Sequence, residues 1–135
     1  MKKLFLLSFI LALVAIGCKK DNTLNSNLSG SWEFRGAACY CTPATDPNAA
    51  KPGNGNILTF AGNGYKRYVK NALQKSGTYT ISVITSGGET RNRISFSSDT
   101  AYIPPNVKIE GAKMTFYGDV PAAADGLELY YEKIK

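Results

Sequence analysis

The sequence contains no histidine among its 135 residues. This absence removes the usual general base of Ser-His and Cys-His catalysis, and it removes the commonest side-chain ligand of metals. The ten carboxylates are scattered and form no paired motif that would indicate acid–base chemistry. We therefore predict no catalytic residue, no metal site and no cofactor, and we interpret the protein as a non-enzyme.

Concentrated charge of either sign is also absent. The 16 basic residues outnumber the 10 acidic ones and give a formal charge of +6, but they are spread along the chain. A nucleic-acid-binding surface needs clustered lysine and arginine side chains. Nucleic acid is therefore not an expected partner.

Long apolar runs are missing except at the start of the chain. Lys2 and Lys3 precede an apolar run from Leu4 to Ile16 that only Ser8 interrupts. The run is shorter than the ~20 residues that a permanent membrane-spanning helix needs. A charged start followed by an apolar run of this length is typical of a secretion signal.

The residues that end this run, Ala15-Ile16-Gly17-Cys18, resemble the lipobox of bacterial lipoproteins. The resemblance implies cleavage before Cys18 and acylation of that cysteine, with chains such as palmitate. It also implies a lipid-anchored protein of the bacterial cell envelope, with the outer membrane as the expected location. The predicted organisation is a signal peptide at 1–17, a lipidated cysteine and flexible polar tether at 18–27, and one folded domain at 28–135.

Sustained helical periodicity is absent from the domain, where turn residues recur at short spacing instead. Gly62-Asn63-Gly64 is a strong signal for a tight hairpin turn. Residues 42–55 are rich in Pro, Asn, Ala and Gly and are predicted to form a long surface loop. Eight segments carry the two-residue alternation of strands: 31–38, 56–61, 65–70, 77–85, 91–97, 106–110, 112–118 and 126–134. These features predict an all-β fold, an antiparallel up-and-down barrel of about eight strands.

The stretch Leu28-Ser29-Gly30-Ser31-Trp32-Glu33-Phe34 resembles the Gly-x-Trp opening of the lipocalin-like families. The stretches that begin at Ile57, Gly62 and Ser76 are similar to the next strands of small lipocalin-like lipoproteins. The resemblance implies that Trp32 packs across the closed end of the barrel. It also implies that the loop at 42–55 covers the open end and that the domain binds a small, mostly apolar ligand.

Aromatic side chains supply the candidate binding residues. Those on inward-facing positions either fill the core or line a ligand cavity, and core filling is the favoured interpretation. Tyr40, Tyr65 and Tyr102 flank predicted loops and are better candidates for a binding mouth. The candidate ligand-binding set is Trp32, Phe34, Tyr40, Tyr65, Tyr79 and Tyr102.

Cysteine is scarce, because only Cys39 and Cys41 remain once Cys18 is assigned to the anchor. Three interpretations of this pair stay open. The first, which we favour, is a local disulfide in an oxidising compartment. The second is a contact to a metal or haem that would need further ligands, and the third is pairing with another chain.

Two functions remain beside ligand binding. A barrel with a filled core would serve as an envelope structural or interaction protein whose loops contact another protein. A redox or hydrolytic enzyme would depend on Cys39 and Cys41 alone. A ligand-sized cavity would favour binding, whereas a solid core would favour the interaction protein.

Overall fold

The computed structural model describes residues 23–39, 46, 48–99, 103–124 and 126–135. A short helix, α1, spans Thr23–Leu28, and a 3₁₀ turn spans Ala122–Ala124. No helix in these ranges combines the length and the hydropathy needed to cross a bilayer. The strands are β1 (Gly30–Cys39), β2 (Ile57–Ala61), β3 (Gly64–Val69), β4 (Ala72–Ser86), β5 (Glu89–Phe96), β6 (Asn106–Glu110), β7 (Lys113–Tyr117) and β8 (Leu127–Lys133).

The eight strands form one closed antiparallel barrel. Each strand pairs with its neighbours along the chain, and β1 also pairs with β8, from Trp32 opposite Lys133 to Cys39 opposite Leu127. Closure gives the first and last strands of the sheet a hydrogen-bonded partner. The predicted all-β, up-and-down barrel of eight strands is therefore confirmed.

Strand direction alternates, so the connections alternate between two ends of the barrel. At the closed end, two-residue turns at 62–63, 87–88 and 111–112 join the strands. At the open end, β3 and β4 are joined by a two-residue turn at 70–71, the connections at 97–105 and 118–126 are longer, and the chain between β1 and β2 is longer still.

Trp32 anchors the closed end. Its side chain has no solvent exposure, and its indole Nε1 donates a hydrogen bond of 2.7 Å to the carbonyl oxygen of Leu28. The ammonium group of Lys133 lies 5.2 Å from the centre of the indole ring, within cation–π range. The rest of the core consists of Leu28 from α1 and of inward positions of the strands: Leu58, Phe60, Tyr65, Tyr79, Ile94, Val107, Met114, Phe116 and Tyr131.

Two stretches of the chain differ from the sequence-based expectation. Residues 72–76 belong to β4 and pair with β3, whereas the predicted strand begins at residue 77. Thr23–Leu28 is helical where a flexible tether was expected; Leu28 is fully buried, and Leu24 packs against the core. Residues 1–22, with Cys18, lie outside the described residues, so the signal peptide, the anchor and the domain boundaries stay predictions.

Candidate functional site

A cavity of about 860 Å³ lies at the open end of the barrel. This volume falls within the range of about 300–1,000 Å³ that is usual for small-molecule sites. The connections at 97–105 and 118–126 contribute part of its wall through Pro104, Asp119 and Val120. The strands contribute apolar and aromatic side chains to the wall: Leu58, Tyr65, Phe96, Phe116, Leu129 and Tyr131.

Aromatic rings form a connected surface along this cavity. The ring of Phe96 lies 4.6 Å from that of Tyr65 and 6.2 Å from that of Phe116, measured between centres. The ring of Phe116 lies 5.5 Å from that of Tyr131, which in turn lies 5.7 Å from Phe34. Such tilted and edge-on contacts hold large apolar side chains in fixed positions. The cavity therefore has a preformed apolar wall.

A second cavity, of about 270 Å³, adjoins the first. Phe34, Asn56 and Val69 belong to its lining but not to that of the larger cavity. Four side chains line both cavities and so form the wall between them: Leu58, Arg67, Leu129 and Tyr131. This shared wall includes one cation and one phenol.

Ion pairs neutralise most of the charges around the larger cavity. Lys75 on β4 pairs with Asp99, which follows β5. Asp119 accepts two hydrogen bonds from Arg93 Nη2, at 2.7 and 2.9 Å, and a third of 2.9 Å from the amide of Asn106. These contacts also fasten the connection at 118–126 to β5 and β6.

Arg67 is the exception among the charged side chains that line the larger cavity. It shares the inward phase of β3 with Tyr65 and lies directly opposite Lys75 on β4. Within the part of the chain that the structure describes, Arg67 has no hydrogen bond and no ion pair, unlike Lys75. Arg67 is also exposed, so the shared wall carries a solvated positive charge that has no protein partner among the described residues.

The phenol of Tyr131 belongs to the same wall. The Tyr131 side chain is 7 % exposed, and this burial raises the pKa of its hydroxyl group, while the positive charge of Arg67 opposes part of the rise. A hydroxyl with a raised pKa stays protonated at neutral pH. Tyr131 can therefore donate a hydrogen bond to a group bound beside Arg67.

The predicted binding residues separate along the barrel. Tyr65 lines the larger cavity, where its hydroxyl hydrogen-bonds with Ser98, and Phe34 lines the smaller one. Trp32 lies at the closed end and lines neither cavity. Tyr79 also lines neither, since its hydroxyl donates a hydrogen bond of 2.8 Å to Gly62 O in a closed-end turn. For Trp32 and Tyr79 the structure indicates a core position instead of a cavity wall.

The other predicted positions lie at the end of β1 or outside the described residues. Tyr40, Cys41 and Tyr102 lie outside the described residues, as does Cys18. Cys39 ends β1, and its pairing with Cys41 stays a prediction. In the described ranges, no three side chains of the metal-binding types His, Cys, Asp and Glu cluster closely enough to hold a metal ion.

The sequence analysis does not include Arg67 or Tyr131 among the candidate binding residues, and for inward-facing aromatic residues such as Phe96 and Phe116 it favours the core over a cavity wall. The signal for Arg67 was present, because a charged residue on the inward phase of a barrel strand is unusual. Tyr131 alternates in phase with Leu127 and Leu129 in the sequence, but nothing in the sequence shows how close to the open end it lies.

Glu33 fixes the end of the β1–β2 connection to the barrel. Its carboxylate accepts hydrogen bonds from the backbone amides of Gly53, at 3.0 Å, and Gly55, at 3.2 Å, and from Arg35 Nη1 at 2.7 Å. Burial acts to raise the pKa of Glu33, but these three donors outweigh it, so the pKa lies below its ordinary value. Residues 53–55 of the predicted cover loop are therefore attached at the side of β1.

The turn between β3 and β4 rests on the same segment. Lys70 and Asn71 have positive φ angles of 50° and 65°, a left-handed conformation that is unfavourable for residues with a side chain. Asn71 N donates a hydrogen bond of 3.0 Å to Gly55 O, and Lys70 N donates one of 3.2 Å to the side chain of Asn56. These contacts compensate the strained turn and complete one rim of the open end.

Comparison with known proteins gives no match: no protein-family model, no curated protein and no solved structure matches this chain.

Proposed function

We propose that this domain is a lipocalin-like binding protein for a small, mostly apolar ligand, held in the bacterial cell envelope by a lipid on Cys18. The observation that carries the binding proposal is the cavity of about 860 Å³ at the open end, with its connected aromatic wall. Binding would bury apolar ligand surface, which contributes ~25 cal/mol per Å². Because the wall is preformed, little side-chain ordering opposes this gain. The proposal involves binding without catalysis.

The open end supplies the route of entry. Part of the wall on this side comes from described residues of the two long connections, such as Pro104 and Val120, whereas the closed end has two-residue turns and the packed indole of Trp32. The loop predicted at 42–55 would act as a cover, with its final residues attached through Glu33. Ligand exchange would then require movement of loops, which open more easily than strands.

A titration with a neutral apolar dye, N-phenyl-1-naphthylamine, tests the binding proposal. The chain from residue 19 onward is suitable, because the closed barrel contains its own core. We expect saturable fluorescence enhancement in the wild type and its loss in Leu129→Trp, which fills the cavity. Val83→Trp is the matched control, since Val83 is 66 % exposed on β4. An absence of saturable binding in the wild type would contradict the proposal.

The lipid anchor has a separate test. We expect the intact mass of the protein from the membrane fraction to correspond to a chain that begins at Cys18 and carries acyl groups. The Cys18→Ser variant should lack the acyl mass and lose its membrane association. A wild-type chain that begins at residue 18 without added acyl mass would contradict the anchor.

A protein partner is the second candidate function, and the hairpin of β4 and β5 favours it. Residues 79–86 of β4 pair with β5 only, and β5 pairs with β6 over just Asn92 and Arg93. Residues 79–86 contain no charge, and Val83 is exposed on this hairpin. Exposed, uncharged strand edges are common sites of protein association. This candidate gains weight if the dye titration shows no saturable binding.

A further inference from the structure

The charges around the larger cavity are unevenly matched. Lys75 has Asp99, and Asp119 has Arg93, but Arg67 has no partner of opposite charge within the described residues. Arg67 also lies directly across the β3–β4 pair from Lys75. Like charges in this cross-strand position destabilise a sheet, and Asp99 compensates Lys75 but not Arg67. Arg67 is exposed, so water solvates it in the empty cavity, and a bound anion would meet a cation that no described side chain neutralises.

The position of Arg67 constrains where such an anion would lie. Arg67 and Tyr131 both belong to the wall shared by the two cavities, and the aromatic surface begins beside them with Phe116. A ligand with a charged head at this wall would place its apolar part against Phe96 and Phe116 in the larger cavity. A single amphipathic ligand would therefore contact both the cation of Arg67 and the aromatic wall.

The chemistry of the two side chains indicates the kind of head group. A guanidinium group presents its donors as a planar fork that matches a carboxylate or a phosphate. The neutral phenol of Tyr131 can donate one more hydrogen bond and does not compete with Arg67 for the anion. A neutral head group, such as an alcohol or an ester, would leave the charge of Arg67 uncompensated.

We propose that Arg67, with Tyr131 beside it, binds the anionic head of a single-chain amphiphile whose apolar tail occupies the larger cavity. The head is a carboxylate or a phosphate. This inference rests on the proposed ligand-binding function and names the class of ligand for the same cavity.

Competition against bound N-phenyl-1-naphthylamine tests the head-group preference. The competitors share one chain length and differ only in the head: dodecanoate, dodecyl phosphate and dodecanol. In the wild type we expect at least one anionic competitor to bind about tenfold to a hundredfold more tightly than dodecanol, the range for a hydrogen-bonded charge. Comparing dodecanoate with dodecyl phosphate shows which anion the site takes.

The variants assign the preference to Arg67. Arg67→Gln should lose most of the preference for the anion, measured as the ratio of anion affinity to dodecanol affinity within the same variant. Lys66→Gln is the matched control. Lys66 is the neighbouring residue on β3 and is exposed, and its substitution removes the same charge from the opposite face of the strand. Arg67→Lys keeps the charge without the planar fork and should show an intermediate preference.

The outcomes separate this inference from the proposed function. If the dye and all three competitors fail to bind the wild type, the proposed ligand-binding function fails and the inference with it. If dodecanol binds the wild type as tightly as both anions, or if Arg67→Gln and Arg67→Lys keep the full preference, the inference is overturned while ligand binding stands. An equal loss of preference in Lys66→Gln would also overturn it, because general positive charge would then explain the effect.

Discussion

The closed and open ends of this barrel use the same strands for different purposes. On β7, Met114 has no solvent exposure in the closed half, whereas Phe116, two residues further, lines the cavity. On β1, Trp32 fills the closed end, and Phe34 contributes to the wall of the smaller cavity. One step along the inward phase of a strand therefore separates residues that fill the core from residues that shape a binding site.

The length of the connections explains this difference. Two-residue turns at the closed end hold the strand ends close together, and α1 and Trp32 occupy the remaining space. The longer connections at the open end are tied down by side-chain contacts such as Glu33 to Gly53 and Arg93 to Asp119. We therefore expect the closed end to dominate stability and the open end to dominate ligand affinity.

The largest effect should come from the closed end. Trp32→Ala removes a fully buried indole and its hydrogen bond to Leu28, and should lower the free energy of unfolding by about 3–5 kcal/mol. Urea unfolding followed by far-UV circular dichroism measures this change. A loss below about 1 kcal/mol would show that stability is not concentrated at this end.

The Glu33 contact should have an intermediate effect. Glu33→Gln replaces a buried carboxylate that accepts three hydrogen bonds and should lower the free energy of unfolding by about 1–3 kcal/mol. Hydrogen exchange at the amides of Gly53 and Gly55 should accelerate. Glu132→Gln is the control, because Glu132 also binds Arg35 but its side chain is 51 % exposed. Equal effects of the two variants would argue against a special role for Glu33.

The same carboxylate predicts the direction of a pH effect. The pKa of Glu33 is lowered in the folded protein, so the folded state binds this proton less readily than the unfolded state does. The stabilisation is complete above the ordinary pKa of the carboxyl group and is lost as the pH falls through the folded-state value. The urea midpoint of the wild type should therefore fall more steeply on acidification than that of Glu33→Gln. Parallel curves for the two proteins would contradict this assignment.

The smallest effect on stability should come from the rim of the open end. Leu127 lines the larger cavity and is 39 % exposed, so Leu127→Ala should change the free energy of unfolding by less than about 1 kcal/mol. The variant should nevertheless weaken binding of N-phenyl-1-naphthylamine, because it removes part of the apolar wall. A large loss of stability without a change in dye affinity would contradict the expectation that the open end determines affinity and the closed end determines stability.

Local sequence patterns were sufficient for most of the strands. Alternation in 57–61, followed by Gly62-Asn63, predicted a strand and a hairpin turn that the structure contains, with Gly62 at a positive φ of 56°. The start of β4 was missed because residues 72–76 are largely exposed and lack an apolar alternation. An irregularity in the pairing next to Arg67 also breaks the regular period there. Pairing with β3, a tertiary contact, defines that strand.

The site was less predictable than the fold. The inward phase of Tyr65 and Tyr79 is visible in the sequence, but only their heights in the barrel show that Tyr65 lines the cavity and Tyr79 does not. The contact of Glu33 with Gly53 joins residues that no short-range pattern relates. Whether Arg67 forms an ion pair likewise depends on side chains from other strands, and the local periodicity of β3 carries no information about them.

The hydrogen bonds of the C-terminal residues show at which end of the barrel the chain ends. Ile134 N donates to Ser31 O at 2.8 Å, and Ser31 N donates to Lys135 O at 2.9 Å, so this terminus lies beside the start of β1. The helix α1 brings the chain from residue 23 to the same end of the barrel. Both described chain ends therefore lie at the closed end, opposite the mouth of the larger cavity. An anchor or an affinity tag attached to either of these ends would leave the mouth unobstructed.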